Sequence, residues 1–563
     1  MTNSLIIREE QTLIEQNLEG YIDYQTLYLN ADFDISDSFL SEVVKDIVNF
    51  KEYKNIFIPL CFGPIMSDFN GLRLATHIRC TPGINQNKNI YIFSFVDINL
   101  LLNHECFDIL KTKGVNLIKY NFHKIQDLVS SNDIELVLEE LPIEIQKLNL
   151  KIPTNYEDNH GIANEWAIYR WSHAIDASDH NIDKIIELQN FNLYFKYLKT
   201  IYPISNLNKF NSSQLKINYK EHPRVLYIDD EAEKGWYEIF RKITEGNNKL
   251  YFSHLDDEFN EKSREEIIDI SLNKVINEDF DLVILDFRLH KDDFENINIS
   301  EVTGYEILKK IKEYNKGIQI IIFSATNKIW NLQALQDAGA DGFIMKESPE
   351  NSIDSEFTRQ SINNLIKSID SCLNMAFLKE VYKIIQEIKK HLSKVSNNCN
   401  EKEFEKLFKL KFKNEISVQL DIIYDCLKKS SLDISTEIKD EHSYLNLSFI
   451  SIFKIIELIN DYYTDEKGTM LKSNLINVQN YDQNSNSFSK CVNQFTTTRD
   501  KIFTIIQFEL NDNPAKFVSK VNQFIKYRNN IIHPKNLKEY KKTTKEENLE
   551  FLTFIKSLLI NVQ

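Results

Sequence analysis

Parallel-sheet α/β units followed by an all-helical bundle are the fold class this sequence predicts, and three observations predict it. Up to about residue 350, short apolar runs alternate with helix-patterned stretches, the mark of α/β layers. Beyond Ser352 the strand signals stop and apolar residues recur at helical spacing. The chain has 563 residues, 42% of them hydrophobic, which is enough for several folded cores.

The first unit, residues 1–150, carries apolar strands at 55–60, 89–96 and 115–119, with helices at 69–79 and 98–111. Residues 151–221 read as a mostly helical linker with an Asn- and Ser-rich hinge at 205–213. Within it, Trp166 and Arg170 form an i,i+4 pair on a packed aromatic helix. His160, Glu165 and His173 lie nearby but fit no single helical face, so they are not read as metal ligands. A second α/β unit occupies 222–370. Residues 371–563 are helical: Phe377, Val381, Ile384, Ile388 and Leu392 mark one buried face, and Phe449, Ile452, Phe453, Ile456 and Ile459 another. The polar stretch 477–489 reads as a loop.

Charge and cysteine content exclude several function classes. A net charge of −16 rules out a surface that attracts nucleic acid everywhere, so any polyanion site must be a local basic patch. The seven cysteines are scattered and form no C-x-x-C pair, which reads as reduced thiols with neither a disulfide frame nor a zinc site. The N-terminus lacks the apolar core of a signal peptide, and no run is long enough to span a membrane. The expectation is a soluble, cytoplasmic protein without a membrane partner.

Chemistry gathers at the ends of apolar runs in the second unit. Val225-Leu226-Tyr227-Ile228 ends in Asp229-Asp230, and Leu282-Val283-Ile284-Leu285 in Asp286. Ile320-Ile321-Ile322-Phe323 ends in Ser324, and Phe343-Ile344-Met345 in Lys346. In an open α/β sheet, ligands collect at the carboxyl ends of the strands, so these groups converge on one site. A carboxylate accepts a phosphoryl group when the charge on the phosphate is neutralised and the reactants are positioned. Asp286 is the candidate acceptor. Asp229, Asp230 and Asp286 offer the hard oxygen ligands that suit Mg2+, and Lys346 and Ser324 offer a cation and a hydroxyl to the phosphate.

Residues 223–349 resemble the receiver domain of two-component response regulators, including the helix Gly304-Tyr305-Glu306-Ile307-Leu308. The resemblance implies a flavodoxin-like fold, a histidine kinase as partner and Asp286 as phospho-acceptor. It also implies Asp229 and Asp230 as metal ligands, Ser324 and Lys346 as phosphate sensors, and Phe343 at the place of a switch aromatic; a plain core aromatic is the other reading of Phe343. Two features depart from the family. Glu347 follows the lysine where proline is usual, and the loop 287–303 is long and acidic.

The first unit echoes this layout. Gly71-Leu72-Arg73-Leu74-Ala75 looks like the helix after the acceptor strand, Ser94 lies near one strand end and Lys119 ends another. Yet the acceptor strand runs into Pro59-Leu60-Cys61, and the acidic pair is missing. This predicts a receiver-like domain that cannot take phosphate, kept for docking or dimer contacts.

In the helical region, Phe517, Val521 and Phe524 mark a buried stripe on which Arg528 falls next. An arginine there is costly unless something anionic meets it. Pro534 disfavours helical geometry at His533, which therefore ends the helix. Arg528, Asn529 and His533 resemble the R-x-x-x-x-H motif of HEPN-domain ribonucleases. That resemblance implies His533 as general acid/base, Arg528 on the scissile phosphate, Asn529 as an orienting group, an RNA substrate and a homodimer with paired motifs. Lys535, Lys538, Lys541, Lys542 and Lys545 follow as a basic run that could track RNA, or serve only as a solvated face.

The expectation is a response regulator in which phosphate on Asp286 acts through the helix 357–373 on a ribonuclease, in bacterial defence or growth arrest. The alternative is a non-catalytic phospho-signalling protein. Its helical domain only dimerises or binds a partner, or the chain is a phosphate sink.

Overall fold

The computed structural model describes residues 4–9, 24–30, 35–49, 51–119, 136–152, 159–217, 222–245, 250–255, 259, 261–294, 298–325, 329–352, 356–394, 403–430, 444–490, 496–534 and 542–560. The first sheet contains β1 (Ser4–Glu9), β2 (Tyr24–Leu29), β3 (Asn55–Pro59), β4 (Asn89–Ser94) and β5 (Val115–Lys119). All its pairings are parallel, in the order β2-β1-β3-β4-β5. The second contains β6 (Arg224–Ile228), β7 (Tyr251–Leu255), β8 (Leu282–Leu285), β9 (Gln319–Ser324) and β10 (Gly342–Met345). It too is parallel, in the order β10-β9-β8-β6-β7, which is the first sheet's winding read from the other edge. This order reverses between the first and third strands of each unit, the switch point at which doubly wound sheets gather ligands. The central strands are apolar runs buried on both faces, as parallel sheets require.

The linker is helical at Asn159–Ile175, His180–Phe191 and Leu193–Ile201. Trp171, fully buried, meets Trp236 and Phe323 edge-on, with ring centroids 5.4 and 5.7 Å apart. The linker helix Asn159–Ile175 thus completes the core on one face of the second sheet, beside the helices Trp236–Thr244 and Phe357–Asn374. Arg170 lies over the Trp166 ring at 5.6 Å, the pair read from the sequence.

Helices Leu378–Lys394, Glu403–Lys429, Tyr444–Tyr463, Thr498–Phe508, Val518–Ile532 and Lys545–Ile560 form the C-terminal bundle. Phe449, Phe524 and Phe551 cluster at its centre, with centroids 4.6 to 5.2 Å apart. No described helix is long and apolar enough to cross a membrane. Cys61, Cys80, Cys106, Cys372 and Cys426 are free thiols.

Two expectations are corrected. Residues 98–111 are not one helix but two short 3-10 turns, Ile98–Leu101 and Phe107–Lys111. His104 separates them: its Nδ1 accepts from the Cys106 amide, a local bond that competes with helix, and its Nε2 meets the carbonyl of Asp68, far upstream in the chain. The polar stretch 477–489 contains an antiparallel hairpin, β11 (Gln479–Asp482) and β12 (Ser487–Lys490). Tyr481 anchors it by burying its ring between Phe488 and Phe503, at 5.1 and 5.0 Å.

The bundle joins the second unit at the amino ends of its strands. Asn315 Nδ2 donates to Lys379 O at 3.2 Å, and Lys379 Nζ donates to Asp279 O and Phe280 O at 2.9 and 3.3 Å. Gly317 fits against the Leu378 backbone so closely that a Cβ on it would fall 2.1 Å from Leu378 O. Gly317→Ala should therefore cost ~1–3 kcal/mol of stability through overpacking. The readout is a lower urea midpoint by tryptophan fluorescence.

Candidate functional site

Strand register builds the site. β6 and β8 pair with Ile228 opposite Leu285, so Asp229 and Asp286, each the next residue, emerge side by side. The Asp286 amide donates to Ile228 O at 2.9 Å, and the Lys346 amide donates to Ser324 O at 2.8 Å. The two carboxylates, the lysine and the buried Ser324 therefore share the carboxyl edge of the sheet.

Lys346 Nζ lies 2.7 Å from Asp229 Oδ2 and 3.4 Å from Asp286 Oδ2, with all three side chains sealed from solvent. The Trp236 and Phe323 rings lie 5.5 and 5.2 Å from the ammonium. Burial pulls the lysine pKa down, but Asp229 and Asp286 outweigh it and hold Lys346 above its ordinary range. Tyr227 donates its hydroxyl to Asp229 Oδ2 at 2.5 Å, and the Glu231 amide donates to Asp229 Oδ1 at 2.8 Å. The Phe287 amide fixes Asp286 Oδ1 at 2.7 Å.

Asp229, Asp230 and Asp286 each offer an oxygen within 4.8 Å of the others. Asp230 lies at the exposed mouth, lining a cavity of about 630 Å3 with Glu231, Leu289 and His290. Desolvation of its carboxyl and the charges of Asp229 and Asp286 push Asp230 up to about 9. One lysine does not cancel the two buried carboxylates, Asp229 and Asp286, and Asp230 adds further carboxyl oxygens at the mouth. An all-oxygen donor set with surplus negative charge fits a hard divalent cation such as Mg2+. Phe343 is half-buried against the core beside Ile320 and Ile322.

The long loop after Asp286 is organised by a buried carboxylate. Asp293 Oδ2 accepts from the Leu289 and His290 amides at 3.0 and 3.1 Å, and Oδ1 from the Thr303 amide at 3.0 Å. Glu347, where the family has proline, is also wholly buried. It pairs with Arg170 Nε at 2.6 Å and accepts from Ser352 and Thr358 hydroxyls at 2.8 and 3.0 Å. Burial raises its pKa, opposed by Arg170 and the two hydroxyls.

The first unit has the same frame without the charges. Gly71 and Gly304 occupy equivalent places: their amides donate to Leu60 O and Phe287 O at 2.9 and 3.2 Å. A Cβ on either would strike backbone, Pro59 O at 2.2 Å and Asp286 O at 2.5 Å. Pro59 thus stands where the second unit has Asp286. Extending the register from Ile6 opposite Phe57 puts Arg8 where the second unit has Asp229, and Glu9 where it has Asp230. Ser94 matches Ser324, but its partner Lys119 matches Met345 and not Lys346. One residue of offset turns a side chain to the other face, so Lys119 is a corrected expectation.

In the bundle, His533 is the exposed C-cap residue of the Val518–Ile532 helix, its amide donating to Asn529 O at 2.8 Å. Arg528 is half-buried; its guanidinium lies 5.5 Å from the Phe453 ring and Nη1 donates to Asn529 Oδ1 at 3.3 Å. Lys535, Lys538 and Lys541 lie outside the described residues. Lys545 Nζ donates to Asn374 O at 3.0 Å. Among the described residues, the carboxylate trio is the single group with metal-ligand geometry. The side chain of His160 lies outside the description, and Glu165 and His173 are part-exposed.

Residues 9–118 match the model of the inactive receiver domain, and residues 267–358 that of the response regulator receiver domain. The second match begins beyond β6, so Asp229 and Asp230 enter the site through the sheet order. The chain is similar to the signal receiver domain of the putative response regulator NarL from Mycobacterium tuberculosis. Identity is 18% over 28% of this chain and 98% of that one, with a TM-score of 0.19. The signal receiver domain of a putative LuxO repressor protein from Vibrio parahaemolyticus matches at 18% identity over 28% and 96%, TM-score 0.19. A LuxR-family two-component response regulator from Aurantimonas sp. SI85-9A1 matches at 17% over 26% and 84%, TM-score 0.18. No curated protein matches the chain. The chain carries two receiver domains, the first of the inactive kind. Such domains indicate two-component phospho-signalling and typically meet histidine kinases.

Asp230 carries a pH signature. The folded chain keeps its proton up to about 9, whereas the ordinary value is 3.8. Between these values the folded state binds the extra proton, so stability falls as pH rises through that window. The melting temperature of the metal-free protein should drop from about pH 5 to about pH 8.5, and Asp230→Asn or added Mg2+ should flatten that slope.

Proposed function

We propose that the chain is a phospho-signalling protein in which Asp286 accepts a phosphoryl group and the state of that residue controls the helical C-terminal region. The observation that carries this reading is the Lys346 ammonium held between Asp229 and Asp286 in a sealed pocket. An oxygen of Asp286 forms the bond to phosphorus as the bond to a phosphohistidine nitrogen of the kinase breaks, the imidazole leaving with the electron pair. Asp229, Asp230 and Asp286 would hold Mg2+, which neutralises charge on the transferring group. The Phe287 amide orients Asp286. Lys346 exchanges its carboxylate contacts for a phosphate oxygen, and Ser324 donates its hydroxyl to another.

The output is the HEPN-like ribonuclease reading. His533 moves protons at the RNA 2′-hydroxyl and the leaving oxygen, Arg528 bears the charge of the scissile phosphate, and Asn529 orients them. Two copies pair their motifs in a homodimer, and RNA cleavage serves defence or growth arrest. Support comes from the largely helical surroundings and from His533 standing exposed at a helix end. A specific observation favours a second, non-catalytic reading: among the described residues Arg528 Nε is buried without a hydrogen-bond partner, and its guanidinium lies 5.5 Å from the Phe453 ring. That arrangement also suits a packing role in a bundle that only dimerises or binds a partner.

Phosphoryl labelling with a small-molecule phosphodonor and Mg2+ should vanish in Asp286→Asn; persistent labelling sinks the acceptor assignment. RNA cleavage by the phosphorylated and unphosphorylated protein should differ. Arg528→Ala and His533→Ala should each lower it by about 100-fold or more, the scale of a lost acid–base or charge-stabilising group. Cleavage equal in wild type and both variants, or absent throughout, selects the non-catalytic reading.

A further inference from the structure

The helix Asn159–Ile175 precedes the second receiver in sequence but touches both loops that carry its charged groups. Asn164 Nδ2 donates to Glu231, the residue after the acidic pair, while Asn164 Oδ1 accepts from Trp236 Nε1. Farther along the helix, Arg170 pairs with Glu347, the residue after Lys346. Trp166 Nε1 donates to Ser352 Oγ at 2.7 Å, and Ser352 Oγ donates in turn to Glu347. Arg170 Nε also meets Thr358 Oγ1 at 3.1 Å, and Arg170 Nη1 donates to Tyr202 O at 3.1 Å.

This is an expensive way to dock a helix. Desolvating two charges often costs as much as their attraction returns, and an apolar pair of similar volume would hold the helix as well. Glu347 Oε2 even lacks a hydrogen-bond partner among the described residues. What the pair adds is placement. Consecutive Cα atoms are ~3.8 Å apart, so fixing the Glu347 carboxylate fixes the backbone from which Lys346 reaches the carboxylates. Breaking the pair from the Arg170 side would also leave Glu347 an uncompensated buried anion in the residue next to Lys346, and so disturb the backbone from which the lysine reaches.

We propose that Arg170 and Glu347 are positioning residues of the phosphorylation site, by which the linker helix sets the Lys346 loop and so the site's hold on phosphate. This rests on the reading of Asp286 as acceptor. The link continues past Arg170. Tyr202 follows the helix Leu193–Ile201, whose Lys196 Nζ donates to Ser41 of the first unit at 2.9 Å. The inactive receiver is thereby mechanically joined to the active one.

The test uses the full chain with Mg2+ and two readouts, affinity for beryllofluoride as a phosphate mimic and the rate of phosphate loss from Asp286. Wild type and Asp286→Asn establish first whether Asp286 is the acceptor; without that difference, the acceptor reading fails by itself. Given it, Arg170→Met should weaken beryllofluoride binding by about fivefold or more, the scale of coupling between contacting groups. Glu347→Gln should weaken it less, because no unpaired buried anion remains. The double variant Arg170→Met/Glu347→Gln removes both charges and keeps the fold testable. With a wild-type melting temperature it should still bind beryllofluoride more weakly and release phosphate at an altered rate. A double variant that melts, binds and releases like wild type overturns the proposal.

Discussion

One ammonium group organises the second receiver. Lys346 brings a positive charge into a place where Asp229 and Asp286 would otherwise repel each other, and its partners are as buried as it is. Removing one member of such a group leaves an uncompensated charge in a poorly polarisable interior, at a cost of ~3–5 kcal/mol. The ends of β6, β8 and β10 are therefore tied together by electrostatics as much as by the sheet. The balance is incomplete, because one ammonium faces two carboxylates, and Asp230 brings further carboxyl oxygens to the mouth. Such a donor set suits a hard divalent ion, and with one in place an anion would meet less repulsion.

The first unit separates what the fold needs from what the chemistry needs. Gly71 keeps the close backbone approach seen at Gly304, so that approach belongs to the winding of the sheet. The charges are dispensable to the winding, since Pro59 and Arg8 stand where Asp286 and Asp229 do in the second unit. The first unit's buried polar groups lie elsewhere. His77 meets Asp37 Oδ1 at 3.2 Å and Lys196 at 3.4 Å, and Asp37 Oδ2 accepts from the Leu193 amide at 3.0 Å. Burial pulls His77 down to about 4, so the imidazole is neutral near pH 7. This network fastens the linker to the inactive receiver, which suits a unit retained for docking.

The strand-end chemistry of the second unit was legible because each reactive group directly follows an apolar run, and a parallel sheet aligns such ends. β1 and β2 were not read from the sequence: β1 ends in the charged pair Arg8-Glu9, and β2, with Tyr28 exposed, lies at the sheet edge. The offset of Lys119 was invisible for a different reason, since register is a property of pairs of strands. Glu347 was visible only as a departure from the usual proline, and Arg170 only as a partner for Trp166. Their pairing joins residues far apart in the chain, so no local pattern announces it. The hairpin at 479–490 hid in polar sequence because a single ring, Tyr481, supplies most of its anchor.

Signal transfer depends on an element that feels both ends of the molecule, and the helix Phe357–Asn374 qualifies. Its 18 residues span about 27 Å. At its first turn Thr358 is buried, donating to Glu347 beside the lysine loop. At its last, Asn374 O accepts from Lys545 of the bundle. Along its length Ile362, Leu365 and Ile369 are buried in the core shared with the linker helix. Close-packed interiors do not bend continuously, so a displaced first turn moves such a helix as a body or leaves it in place. The bundle is held separately at the opposite edge, through Lys379 on the carbonyls of Asp279 and Phe280. A displaced first turn would then be felt at the helix's last turn, where Asn374 meets the bundle. In the proposed switch, phosphate that draws Lys346 away from Asp229 and Asp286 would act on this helix through Glu347, with the linker helix packed on its flank.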